Sequence, residues 1–219
     1  MPTLRTTALR VTAAGVALLA AACGSSSSGG TTPKASGGTY RGLVPGTPVT
    51  LPTTTLQTTD GTAYPLASTG EGKATLLYFG YTNCPDVCPT TMADVATALR
   101  KVPVALQQKV RVVFVTSDPT RDTGPVLAKW LANFAIPSTT VGLRGSVADV
   151  DKAGTEAGVP LFPPSTLPDG TVDVEHGSQV IGFTPAGQGQ VEWLIDQTKA
   201  GALAQALEHD LPLLVAGQQ

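Results

Sequence analysis

Charge of either sign is sparse in this chain, at 14% of 219 residues, and basic charge has no surplus: 14 Lys and Arg face 16 Asp and Glu, a formal net of −2. Binding a phosphate backbone requires clustered Lys and Arg that displace condensed counterions. No Lys/Arg-rich patch is present, so nucleic acid is not an expected partner. Long apolar runs are also lacking. The most apolar stretch, VTAAGVALLAAA at 11–22, falls well short of the ~20 residues that a membrane-spanning helix needs. With three cysteines and two histidines, any thiol or imidazole chemistry rests on a small set of nameable residues. No internal repeat is evident, and the length suits one domain plus extras.

What the N-terminus does contain is a pattern for export. Arg5 and Arg10 precede the short apolar run, and the run ends at Cys23. A charged segment followed by an apolar one of this length is read as a cleavable leader. Small residues Ala21 and Ala22 before a cysteine, then GSSSSGGTTPKASGG, resemble a bacterial lipoprotein signal, although Ala20 stands where that motif favours Leu. The expected organisation is a signal at 1–22, lipidation of Cys23, a flexible tether over 23–48 and a folded domain over 49–219. Gly, Ser, Thr and Pro dominate the tether, too polar and flexible a composition to bury a core. Loss of Arg5 and Arg10 with the leader leaves 12 basic against 16 acidic side chains, a net of −4. The protein is thus expected outside the cytoplasm, lipid-anchored to the outer face of the cytoplasmic membrane, where disulfides are permitted.

Within 49–219, VTLPTTTLQTTDGTAYPL predicts a strand pair turned at Asp60-Gly61. The runs ATLLYFGY and VRVVFVTSD are short, continuous and apolar, as in strands buried on both faces. Between them Met92, Val95, Ala96 and Leu99 fall at helical spacing on one face. GPVLAKWLANFA predicts a helix, TTVGLRG a short strand and SVADVDKAGTEAG a helix opened by Ser146; PLFPPSTLPDGTVD reads as a loop. HGSQVIGFTPAGQGQVEWLI predicts a hairpin and TKAGALAQALEHDLPLL a closing helix. Strands alternating with helices, then a hairpin and a helix, specify an α/β domain. The order matches an elaborated thioredoxin-like fold: a central mixed sheet, helices on both faces and an added N-terminal β-hairpin.

The chemistry concentrates in YFGYTNCPDVCPTTM, which places Cys84 and Cys88 between a buried strand and a helix. Unpaired N–H groups and the dipole at a helix N-terminus favour thiolate, and thiolate is both nucleophile and metal ligand. Three residues separate the cysteines, and a helical separation of four puts both sulfurs on one face, in reach of a shared metal or of a disulfide. Asp86 between them opposes thiolate formation but suits a bound cation. Position and spacing therefore leave disulfide, redox nucleophile and metal site open.

The same stretch is similar to the signature of the Sco/SenC family, the membrane-anchored, thioredoxin-like copper-delivery proteins of cytochrome c oxidase assembly. Asn83 stands where the family often has histidine. FVTSDPTRDTGPVLAKWLANF resembles the family's second block, and VEHGSQVIGFTPAGQ its late histidine segment, with Glu175 and Gly177 replacing the usual neighbours of the histidine. The resemblance implies that Cys84, Cys88 and His176 hold copper, that Cys84 and Cys88 form a disulfide when oxidised and metal-free, and that the partner is the copper-bearing subunit of a haem–copper oxidase. Two soft thiolates and one imidazole suit Cu(I) and can also hold Cu(II), in a site expected to be open to solvent. Asp118, after a buried strand, is a candidate for orienting a ligand or tuning the thiols, with helix capping by Asp118 or Asp122 as the alternative. His209 is read as structural, near the end of the last helix.

A thiol–disulfide reductase using Cys84 and Cys88 is the competing function. The late segment EHGSQV offers histidine where such oxidoreductases usually carry a cis-proline, which favours metal. A peroxidase is weaker still, because Tyr81 occupies the threonine position of a TxxC arrangement.

Overall fold

The computed structural model describes residues 40–47, 49–67, 72–162, 165–166, 172–173, 177–195 and 199–218. The expected leader, Cys23, the tether as far as residue 39, and His176 lie outside them.

The two continuous apolar runs become neighbouring parallel strands, β4 (Ala74–Gly80) and β5 (Val110–Thr116), with every residue buried. They carry the centre of an eight-stranded mixed sheet. Upstream, β1 (Val49–Thr50) and β3 (Ala63–Pro65) supply the two edges, with β2 (Thr55–Thr58) just inside β3. Downstream of β4 come α1 (Val87–Lys101), the single turn α2 (Val104–Gln107), β5, α3 (Gly124–Ala132), β6 (Thr139–Arg144) and α4 (Val147–Ala157). A two-residue pair, β7 (Ser165–Thr166) and β8 (Val172–Asp173), precedes the hairpin β9 (Gln179–Phe183) and β10 (Gln188–Leu194), and α5 (Ala202–Ala216) closes the chain. The sheet order is β1-β10-β9-β4-β5-β6-β2-β3. β6 runs parallel to β5, and β9 antiparallel to β4.

Alternation along the central strands builds two cores. Leu76, Tyr78, Val112 and Phe114 face α1, α3 and α5, where Met92, Val95, Leu99, Leu127, Leu207 and Leu211 meet them. Leu77, Phe79, Val113 and Val115 face α4, with Val150, Ala153 and Ala157. Helices on both faces of a mixed sheet are the expected thioredoxin-like layering. The predicted hairpin forms as β2–β3, with Gly61 at φ +89° in its turn, where only a residue without Cβ is at ease. It extends the sheet beyond β6 through Gln57 and Thr58. Ser146 caps α4 as expected, accepting the Asp149 N–H at 3.1 Å.

Three features differ from the sequence reading. The turn α2 lies in a stretch to which the sequence assigns no element, and the pair β7–β8 falls in the stretch read as loop. Val49 and Thr50 leave the strand pair for the opposite sheet edge, against β10. Ordered packing also begins upstream of the expected start at Val49. Tyr40 is buried, Leu43 bridges Glu192, and the Arg41 and Gly42 N–H groups donate to the buried carboxylate of Asp210 on α5. A lone Asp in a helix gives no local sign that it will hold a segment some 170 residues away.

Candidate metal centre

β4 ends at Gly80, and the chain turns through Tyr81–Asp86 into α1. Cys84 and Cys88 come together at that entrance as free thiols. The Cys88 N–H donates to Cys84 Sγ at 3.4 Å. A helix leaves its first four N–H groups without intrahelical partners, and Asp86, the residue at the cap position, supplies no side-chain bond. The Cys84 sulfur takes one of those donors instead.

Cys88 sits deeper, at 0% exposure against 9% for Cys84. Its sulfur occupies a cage that exists because residue 80 has no side chain. A Cβ there would stand 2.9 Å from Cys88 Sγ, 3.0 Å from the Tyr78 ring and 3.1 Å from the Phe114 ring. The Tyr78 hydroxyl donates to Cys88 Sγ at 3.4 Å, and the Tyr78 ring packs edge-on to Phe114 at 5.8 Å. The expected solvent-open site is thus closed over one sulfur, with Cys84 the less covered of the two.

Burial also reverses the expected ionisation of Cys88. Removal from water pushes this thiol up to about 12, with the Tyr78 hydroxyl acting in the opposite sense. Burial likewise raises Tyr78 and, with the nearby Asp210 carboxylate, lifts Tyr40 to about 12. An acid whose folded pKa is raised contributes stability that is whole below its unfolded pKa and is lost as pH climbs towards the folded one. For Cys88 that window runs from the ordinary value of 9.0 to about 12. The reduced, metal-free protein should therefore lose stability above pH 9, by about 1.4 kcal/mol per pH unit for each such proton. Urea midpoints at pH 8 and pH 10.5 measure this; equal midpoints would refute it.

Asp122 ties the cysteine loop to the rest of the site. Its buried carboxylate accepts the Thr82 N–H at 2.9 Å, the Thr82 hydroxyl at 2.5 Å and the Thr116 hydroxyl at 2.6 Å. The loops after β4 and β5 are joined through this one side chain, and Arg144 Nε donates to the Asp122 carbonyl from β6. The sequence reading weighed Asp122 only as a helix cap; the sign that could have singled it out is its place in the RDT segment of the second family-like block. The N-cap of α3 is Thr123, without a side-chain bond. Asp118 is buried and pairs with Arg121, while its N–H donates to Thr116 Oγ1 at 3.0 Å. Asp86 is exposed and, with Val87, Thr91 and Asp94, lines a groove of about 70 Å³ beside the motif. A cavity of about 690 Å³ near the β9–β10 turn is lined by no Cys, His, Asp or Glu.

Among the described residues no three His, Cys, Asp or Glu converge as a metal cluster, and the third expected ligand, His176, lies outside them. Its chain neighbour Gly177 is described, with its N–H on the Pro160 carbonyl at 3.1 Å. The ladder is informative at this end. β9 enters the sheet at Gln179, and Val180 pairs with Tyr78 in antiparallel register. The N-terminal end of β9 therefore runs beside the end of β4 from which the cysteine loop departs. His209 lies in the middle of α5 rather than near its end, with Nδ1 2.7 Å from Asp210 Oδ1. Tyr81 and Trp193 are buried in the same core as the cysteines, and Phe79 in the opposite one.

Comparison with known proteins places this geometry. Over 118 residues, 53% of its length, the chain is 32% identical to the mitochondrial Sco1 protein of Saccharomyces cerevisiae. Over 119 residues, 53% of its length, it is 34% identical to the mitochondrial Sco2 homologue of Danio rerio. The matches span 39% and 41% of those relatives' own length. Among solved structures, apo Sco1 of Thermus thermophilus is 30% identical with a TM-score of 0.69, covering 81% of this chain and 98% of that one. Copper-bound ScoI of Bradyrhizobium japonicum is 27% identical with a TM-score of 0.61, covering 76% and 99%. A sequence model described as SCO1/SenC matches residues 54–211. Spanning all of the sheet but β1, the cysteine loop and most of α5, that match shows that the chain belongs to the SCO1/SenC family.

Proposed function

We propose that this protein is an exported, lipid-anchored copper metallochaperone that loads the binuclear copper centre of a haem–copper oxidase. The observation that carries the reading is the dithiol at the α1 entrance, Cys84 and Cys88, with the Cys88 backbone N–H donating to the Cys84 sulfur. Copper-bound structures of Bradyrhizobium and yeast Sco proteins, 27% and 26% identical to this chain, support copper as the cargo. Cys84, Cys88 and His176 are the ligands in this reading, a soft donor set suited to Cu(I). Four-coordinate zinc would call for a further ligand. Cys88 must surrender its proton to bind, so loading releases acid and strengthens as pH rises. Cys84, the less covered sulfur, meets the incoming ion first, and delivery proceeds by exchange of each thiolate for one of the recipient. Asp86 lies between the two cysteines in the loop, and Asp118, paired with Arg121, is the candidate for tuning the thiols from outside the ligand set. Cys23 carries the lipid, and the chain between it and the folded body is the tether.

A thiol–disulfide reductase acting on the recipient's cysteines is the second reading, favoured by the same free dithiol. The two separate at His176. Changing His176→Ala should weaken Cu(I) binding at least about tenfold, the smallest loss typical even of residues that only support a ligand. Competition with a chelator under anaerobic conditions measures this. Unchanged copper affinity combined with full insulin-disulfide reduction would favour the reductase.

A further inference from the structure

We propose that the hydroxyl of Tyr78 is a positioning residue that sets the donor strength of the Cys88 sulfur, and through it the balance between Cu(I) and Cu(II) at the site; this rests on the copper reading above. Tyr78 lies on β4, is almost wholly buried, and aims Oη at Cys88 Sγ, 3.4 Å away. Burial gives that bond weight, because a hydrogen bond in a low-dielectric interior is electrostatically stronger than one facing water. Its geometry is fixed from several sides. The β4 ladder holds the Tyr78 backbone opposite Phe114 and Val180, the Phe114 ring supports its edge, and the missing side chain at Gly80 leaves the sulfur room beside it. Among the described residues no hydroxyl donates to Cys84, whose sulfur accepts a backbone N–H instead. The two thiols therefore differ: the main chain reaches both, at Cys84 through the Cys88 N–H and at Cys88 through Tyr81, but Cys88 alone of the two also takes a phenol that a single oxygen deletion can remove.

Hydrogen bonds to a coordinated sulfur tune the potential of its metal. A donor at the sulfur draws electron density from it, which weakens the support that thiolate gives to the higher oxidation state. Tyr78 thus favours Cu(I), the ion matched to a sulfur-rich site.

The test is Tyr78→Phe, which keeps the ring and deletes the donor. In the Cu(II)-loaded protein the sulfur-to-copper charge-transfer band should move to longer wavelength. The ratio of Cu(II) to Cu(I) affinity should rise about tenfold, a potential lower by about 59 mV for one electron. Global replacement of tyrosine by 3-fluorotyrosine, whose phenol is a stronger donor, should move the band the other way, and it serves if the Phe variant does not fold. A band and potential identical to those of the unaltered protein in both cases would overturn the inference. Failure of the unaltered protein to bind either Cu(I) or Cu(II) would instead overturn the copper reading on which it rests.

Discussion

Replacing Cys84 and Cys88 together with serine should lower copper affinity by more than about 10³-fold while leaving the domain folded. Structural zinc bound by four ligands is worth about 10–16 kcal/mol, or several kcal/mol per ligand. Removing two thiolates from a three-ligand site forfeits enough of this to cross three decades, at about 1.4 kcal/mol each. Folding should survive because both sulfurs have replaceable structural roles. At position 84 a serine oxygen can still accept the N–H that Cys84 now takes from Cys88. At position 88 the new hydroxyl enters a buried cage but finds the Tyr78 Oη as its partner, so the cost should stay near about 1–2 kcal/mol. Anaerobic Cu(I) titration against a competing chelator, with circular dichroism for the fold, reads both parts. A folded double variant that still binds one equivalent of copper would eliminate the dithiol as the site and the ligand-exchange mechanism with it.

The same residues show why some of this site was legible in the sequence and some was not. Local chemistry advertises itself. Two cysteines four apart between an apolar run and a helical stripe can be read without coordinates, and β4, α1, β5, α3 and α4 follow from periodicity and from the Ser146 cap. Burial does not advertise itself. The helix N-terminus led to an expectation of thiolate, yet Cys88 is pushed the other way because β4 and β5 close over it and Gly80 admits its sulfur into the core. Nor do contacts between distant segments. Tyr78 and Cys88 are ten residues apart and meet only because the strand and the helix pack together, while Asp122 reaches back to Thr82 across a whole β-α-β unit. The packing of the segment before Val49 is hidden for the same reason: its composition is that of a linker, and what fixes residues 41 and 42 is a carboxylate on the last helix.

That carboxylate carries the largest expected effect on stability. Asp210→Asn should destabilise the protein by about 3 kcal/mol, because it replaces an acceptor-only group by one that is half donor. Asp210 is fully buried and receives the Arg41 N–H at 2.9 and 3.0 Å, the Gly42 N–H at 2.9 Å and the Trp193 indole N–H at 2.8 Å. An asparagine can serve some of these donors with its oxygen, but its NH₂ would point at N–H groups that cannot move away. Room to relax is scarce. At Gly42 even a Cβ would come within 2.3 Å of Val191 and 2.8 Å of the Trp193 nitrogen. The segment from Tyr40 to Leu43 should therefore detach, exposing Trp193 and unpairing Leu43 from Glu192. For a domain of this size the loss corresponds to a melting temperature lower by roughly 6–12 °C. A chain beginning at Val49 should show a comparable drop, since it removes the Arg41 and Gly42 donors and leaves the carboxylate with only Trp193 and His209 as partners. Thermal melts of the two variants, alone and combined, test the coupling: the combined change should cost little more than either one, whereas additive losses would mean that Asp210 and the Tyr40–Leu43 segment act independently.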